Sequence, residues 1–200
     1  MKRLGMGILL AAMAAAPLSA ALKTGEKAPE FSAKASHAGH EIQFSLAAAL
    51  KKGPVVVYFY PSAFTTGCDL EAHTFADNIA KFDAAGATII GVSQDNIERL
   101  NAFSADPNYC AGKISVASDP DGAIARSYDL KVMQGRPGMK DVRGVAIGHS
   151  FTERTTFVVT PDDMIAATFS SSADKINPAQ HVEKALAVVQ QLASRKSAQH

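Results

Sequence analysis

The group in this chain best suited to chemistry is a thiol beside a helix start. Cys68 closes the stretch Pro61-Ser62-Ala63-Phe64-Thr65-Thr66-Gly67-Cys68, between an apolar run and a segment of helical periodicity. Free backbone N–H groups and the positive end of the helix dipole stabilise an anion there, typically by about 0.3 to 1 kcal/mol and up to about 2 when partly buried. An ordinary thiol titrates near pH ~8.5, and each unit of lowering needs about 1.4 kcal/mol. One helix end therefore supplies roughly one unit, and a majority thiolate needs a cation as well. Arg154, at the start of a later apolar run, is the best-placed candidate. Thr65, three residues before the sulfur, can both donate and accept a hydrogen bond. Cys110 is the second of two cysteines. Two cysteines allow one intramolecular pairing, so cysteine count alone favours a structural disulfide wherever the compartment is oxidising.

Strands and helices must position these groups. Residues 55–60 form an uninterrupted apolar run that predicts a buried strand, after a short helix over 46–50 capped by Ser45. Residues 69–84 place Ala72, Phe75, Ala76, Ile79 and Phe82 on one helical face, with Asp77 and Lys81 paired on another. Strands are expected over 87–93 and 114–117, and a helix over 96–105. One or two helical turns are expected over 121–128, and a strand-turn-strand around Pro161-Asp162-Asp163. Asn177-Pro178 opens a last helix, with fraying after Ser194. Residues 23–43 read as an irregular opening segment with a short hairpin, and 131–149 as a solvated, basic, glycine-rich loop that could form a flap at the mouth of a site. Strands alternating with helices describe a single α/β domain with a central mixed sheet.

The chain has 200 residues, 47% apolar, with mean hydropathy +0.02 and a formal net charge of +1. Such balance excludes disordered and fibrous architectures, and no block of like charges suggests a nucleic acid partner. Lys2, Arg3, an apolar stretch to Ala16 and the small residues Ser19, Ala20 and Ala21 have the organisation of a secretory signal peptide. Residues 1–21 are expected to be cleaved, with a cut after Ala20 as the alternative, leaving 22–200 as the mature domain. The apolar stretch is short for an uncleaved membrane anchor. The protein would then work outside the cytoplasm, in the periplasm if the source is bacterial, with no membrane attachment after cleavage.

Pro61-x-x-x-Thr65-x-x-Cys68 resembles the active-site signature of the peroxiredoxins, thiol peroxidases of the AhpC/TSA superfamily with a thioredoxin-like fold. Further matches follow in the family's order: Cys68-x-x-Glu71, Phe75-x-Asp77, Gly91-Val92-Ser93-x-Asp95, Ser118-Asp119-Pro120-Asp121-Gly122 ahead of Tyr128, and Arg154-x-Thr156-Phe157-Val158-Val159. They are similar to the Q-type subgroup, the bacterioferritin comigratory proteins. The resemblance implies that Cys68 attacks hydrogen peroxide or an organic hydroperoxide to give a sulfenic acid. It implies further that Arg154 stabilises thiolate and peroxide, that Thr65 bonds the peroxide oxygens, that Pro61 shields the sulfur and that Glu71 orients the site.

Many Q-type members carry a second cysteine five residues after the first; here that position is His73. Cys110 is then the candidate resolving thiol, forming an intramolecular disulfide with Cys68. The alternatives are one-cysteine turnover with Cys110 free or linking a dimer, and a permanent bridge. His73 itself is expected at the surface, paired with Asp69. A thioredoxin-like or other dithiol reductant is implied, and the chain is expected to act as a monomer or homodimer. Two other classes share these residues. A thioredoxin-like oxidoreductase normally has Cys-x-x-Cys, and Glu71 stands at the second position. A peroxide sensor would be oxidised once without turnover. No cofactor or metal is expected, for the chain has no phosphate-binding glycine motif and no His spacing of a metal site.

Overall fold

The computed structural model describes residues 21–198; the expected signal peptide lies almost wholly outside the described residues. In chain order the elements are β1 (Ser32–His37), β2 (His40–Ser45), α1 (Leu46–Leu50), β3 (Val55–Phe59), α2 (Thr66–Ala84), β4 (Thr88–Ser93), α3 (Ile97–Ala105), β5 (Ser115–Ser118), α4 (Ala123–Ser127), β6 (Val132–Met133), β7 (Phe151–Thr152), β8 (Thr155–Val159), β9 (Ile165–Ser170), α5 (Ser171–Asp174) and α6 (Pro178–Ser197). The main sheet has the order β2-β1-β5-β4-β3-β8-β9. β3, β4 and β5 are parallel, and the flanking pairs are antiparallel. This is the mixed α/β sheet the alternation predicts.

β3 is apolar throughout because both of its faces are covered. Val56 and Tyr58 point into a core shared with Phe75 of α2, Phe103 of α3 and Val182 of α6. Val55, Val57 and Phe59 point the other way, against Leu46 and Leu50 of α1 and Tyr128 beyond α4. Period-two alternation on a central strand feeds two layers at once. The signature loop leaves the end of this strand, which is held on one side by β4 and on the other by β8. Arg154 immediately precedes β8, so the β3/β8 register carries it to the same end of the sheet as the loop.

Ser45 caps α1 by accepting from Ala48 N–H, and Asn177 with Gln180 forms a reciprocal capping box at α6. Five local expectations change. The hairpin over 32–45 is a full edge of the sheet, and α6 continues to Ser197 instead of fraying after Ser194. α5, capped by Ser170, had no apolar periodicity to announce it. On the outer face of α2, His73 pairs with Asp77 at 3.5 Å, not with Asp69, and Lys81 donates to Asn78, not to Asp77. Both contacts are solvent-exposed and contribute little to stability.

Candidate active site

Thr65 ends the loop in extended backbone and is the N-cap residue of α2, yet its side chain makes no cap bond. Its Oγ1 instead donates to the Ser62 carbonyl at 2.8 Å. The cap side chain thus leaves the first N–H groups of α2 unbonded by it, and Cys68 lies in that first turn with its own N–H bonded to Thr65 O at 2.8 Å. The loop reverses at Phe64, whose φ of 58° is unusual for a bulky residue. The Phe64 ring is held by Arg143, with Cζ 3.2 Å from its centroid, and by Tyr109 edge-on at 5.2 Å.

Arg154 Nη2 stands 3.1 Å from Cys68 Sγ, and Nη1 forms an ion pair with Glu71. Cys68 is 2% exposed and Glu71 fully buried. One cation therefore serves two acids. Gly67 makes room for it, since a β-carbon there would meet Arg154 Nη2 at 3.3 Å. Burial pushes the Cys68 thiol up; Arg154, Thr65 and the Ser62 backbone pull it down and Glu71 pushes it up, leaving it above its ordinary value. Burial of the sulfur in the first turn of α2 thus works against the majority thiolate expected from the sequence, and Arg154 works for it. Burial likewise raises Glu71 to about 7 against the opposing pull of Arg154. Behind Glu71, His181 is fully buried between Thr156 Oγ1 and Ser171 Oγ, each 2.9 Å away, and 4.0 Å from Glu71 Oε1. Burial and the Arg154 charge bring His181 down to about 4, so it stays neutral.

Thr65, Cys68, Glu71 and Arg154 are brought together. Pro61 opens the loop half-buried, and with no N–H its part there is steric. Cys110 lies in the same core cluster as Cys68, fully buried, and both cysteines are free thiols. Burial pushes Cys110 far up, with Asp69 and Asp106 adding to it. It sits in a tight turn in which Ala111 N–H bonds Asp106 O and Lys113 N–H bonds Cys110 O. Tyr109, next to it, touches Phe64 of the signature loop.

The stretch 131–149 is mostly exposed, as a solvated loop should be, but it is anchored at particular residues. Its Asp141 is buried, paired with Arg99 Nη2 at 2.8 Å and Arg143 Nη2 at 2.9 Å, and Val142 N–H donates to Phe64 O at 3.0 Å. Below the signature loop, Asp95 collects Ser62, Ala63, Ser93, Arg99 and His149. Of these residues sequence reading named Ser62 and Ala63 within the signature stretch and Ser93 and Asp95 within a second motif, none of them with a role. His149 carried no signal in its own neighbourhood.

The profile of the AhpC/TSA family matches residues 24–168. The peroxiredoxin Bcp of Xanthomonas campestris pv. campestris is 30% identical over 154 residues, spanning 77% of this chain and 79% of that protein. The crystal structure of peroxidoxin BcpB from Mycobacterium tuberculosis superposes with a TM-score of 0.69 at 29% identity, covering 85% of this chain and 97% of that one. A bacterioferritin comigratory protein of Xanthomonas campestris, described for its alkyl peroxide reduction activity, gives 0.63 at 28% identity, over 82% and 92%. The fold and these matches agree: the chain belongs to the AhpC/TSA family and is a Bcp-type peroxiredoxin, a thiol-dependent peroxidase with a thioredoxin-like fold.

Proposed function

We propose that Cys68 is the peroxide-reducing thiol and Cys110 its resolving partner within one chain. The observation that carries this is the 3.1 Å contact between Arg154 Nη2 and Cys68 Sγ in the first turn of α2. The Cys68 sulfur attacks the distal peroxide oxygen, the O–O bond breaks, and the thiol proton goes to the leaving oxygen as water or alcohol. Sulfur is oxidised by two electrons to sulfenic acid and the peroxide is reduced by two. Arg154 and Thr65 stabilise charge developing on the oxygens. Pro61 screens the sulfur, and Glu71 fixes the guanidinium.

The Cys110 thiol then attacks the Cys68 sulfur, its proton leaves with the sulfenic hydroxyl as water, and the resulting disulfide is reduced by a thioredoxin-like dithiol. Such a bridge needs α-carbons within about 7 Å. The two thiols are buried in separate elements, and in our reading the first turn of α2 and the turn at Cys110 open to bring them together; the Phe64–Tyr109 contact joins the signature loop to the Cys110 turn. Hydrogen peroxide and organic hydroperoxides are the substrates we favour, the latter on the alkyl peroxide reduction of the Xanthomonas relative. The residues ahead of Leu22 support export to the periplasm, testable by fractionation and the N-terminal sequence of the mature protein.

One equivalent of peroxide separates the roles. The wild type is expected to lose two thiols and gain an intramolecular bridge by mass. Cys110→Ser stops at sulfenic acid, and Cys68→Ser consumes nothing. A wild type that loses one thiol and forms no bridge overturns the resolving role.

A further inference from the structure

Asp95, just beyond β4, is fully buried and holds one peptide of the signature loop. Its Oδ2 accepts from Ala63 N–H at 2.8 Å and Ser93 Oγ at 2.7 Å. Its Oδ1 accepts from Ser62 Oγ at 3.1 Å and Arg99 Nε at 2.7 Å. Arg99 Nη2 donates to Ala63 O at 2.8 Å, so Ala63 is held at both its N–H and its carbonyl. The Ser62 carbonyl accepts from Thr65, and the Ser62 backbone bears on the Cys68 sulfur.

His149 reaches this carboxylate from the far side. Its Nε2 is 2.8 Å from Asp95 Oδ1, and its Nδ1 is 2.7 Å from the Ser150 carbonyl. A carbonyl and an ionised carboxylate can only accept, so with both as partners the two ring nitrogens donate; the other group at Nε2 is Ser62 Oγ at 3.3 Å, a longer contact whose hydroxyl also faces Asp95. Either neutral tautomer would turn a ring lone pair on an oxygen lone pair. The ring satisfies both neighbours only as imidazolium.

We propose that His149, acting through Asp95, is a positioning residue for the peroxide-reducing thiol: as a cation it locks the Ser62–Ala63 backbone beside Cys68, and on losing its proton it releases that lock. The proposal rests on Cys68 being the reactive thiol. Burial pulls His149 down, but the bond and charge of Asp95 and the Ser150 carbonyl more than reverse this, and its pKa is raised. For Asp95, burial pushes up, and His149 with the loop donors leaves it lowered. The other charges facing the ring are Arg99, which opposes its protonation, and Asp141 and Arg143 behind it. Asp121, Arg126 and Arg136 line the cavity on one side of the ring, and Glu98 that on the other. Asp95 and Asp141 against Arg99, Arg143 and His149 leave this cluster cationic only while the ring is protonated.

A group whose folded pKa is raised holds its contribution at low pH and loses it as pH rises through that value. Ionisation of Cys68 can only speed peroxide reduction as pH rises. Glu71, which draws Arg154 from the sulfur as it ionises, can also lower the rate, so a limb that falls on the alkaline side of the His149 pKa belongs to the lock only where His149→Gln removes it. Nitrogen-15 spectra of the reduced full chain are expected to show both ring nitrogens of His149 protonated at pH 7. Single-turnover rates with hydrogen peroxide are expected to show the falling limb in the wild type. They should be about tenfold lower in His149→Gln at pH 6, converging with the wild type at high pH, as loss of one charge-assisted bond implies. A merely structural histidine would lower the melting temperature and leave the shape of the pH profile alone. A neutral ring at pH 7, or superimposable profiles, overturns the lock, and the spectra need no variant to fold. A Cys68→Ser protein that still consumes peroxide overturns the reading of Cys68 instead, whatever the ring does.

Discussion

Gly67 and Arg154 are fitted to one another: a β-carbon on Gly67 would stand 3.3 Å from the same Nη2 that donates to Cys68, and 3.5 Å from Pro178 Cγ. Alanine in a helix is favoured over glycine by about 1 kcal/mol in an interior and less in a first turn. Gly67→Ala should therefore keep or raise the melting temperature. The guanidinium, however, must yield by a few tenths of an ångström. Since a 1 Å displacement at a reacting centre can cost about a hundredfold, a loss of severalfold in the peroxide rate is expected. Stopped-flow rates beside thermal melts decide this. A full rate with a lowered melting temperature would mean that the glycine serves packing alone.

Arg154 divides its charge between Glu71 and Cys68, and that division depends on pH. Below about 7 Glu71 is protonated and the guanidinium serves the sulfur; above it, the carboxylate competes for the cation and repels the thiolate. The two acids titrate as a pair, so ionisation of Cys68 in the wild type should spread over a broad pH range. Glu71→Gln removes the competitor. Its thiol is expected to titrate in one step, at lower pH than the wild type. Alkylation rate against pH is the measurement, and identical curves for both proteins would show that Glu71 exerts no electrostatic effect on the sulfur.

Much of this arrangement was legible because it is local. The run of residues 55–60, the periodicity of α2 and the spacing from Pro61 to Cys68 place the thiol in a first helical turn without any tertiary information. Arg154 could be named because β8 announces itself as a strand and the arginine precedes it. What stayed hidden depends on contacts between distant segments. Asp141 meets Arg99, and Arg143 covers Phe64, from a stretch whose glycines and charges have no period. His149 looks like a surface histidine until the fold sets it against Asp95. The raised thiol has the same origin, since its burial is produced by the packing of the core cluster over the first turn of α2. The edge hairpin escaped in part because β2 is mostly exposed and polar, which leaves its alternation weak.

Tyr58 gives a test of the layer that carries α2. Among the described residues its buried hydroxyl meets no hydrogen-bond partner, and its ring lies 4.6 Å from Phe75 of α2. An unsatisfied buried hydroxyl costs about 1–3 kcal/mol, and removing it takes that cost away. Tyr58→Phe should be neutral or slightly stabilising. Gly91 is pressed against the same ring, where a β-carbon would approach Cζ to 2.6 Å. Gly91→Ala is expected to destabilise by about 1–3 kcal/mol through overpacking. Urea melts read both effects, and a neutral Gly91→Ala would mean that the Tyr58 layer yields more easily than its close packing implies.

The ring of Tyr109 lies 5.2 Å from those of both Phe64 and Phe103, tying the Cys110 turn to the loop that ends at Cys68. Cys110 is fully buried and its pKa is raised, so in the reduced protein it should resist alkylation in the absence of denaturant. Tyr109→Leu keeps an apolar side chain but removes both ring contacts. With aromatic pairs worth about 0.5–1.5 kcal/mol each, opening of the turn should become roughly tenfold more frequent. Cys110 labelling should accelerate by that factor, and the bridge to Cys68 should form faster after one equivalent of peroxide. Faster labelling without faster bridging would show that the turn opens independently of the Cys68 loop, and unchanged labelling would show that Tyr109 does not hold it shut.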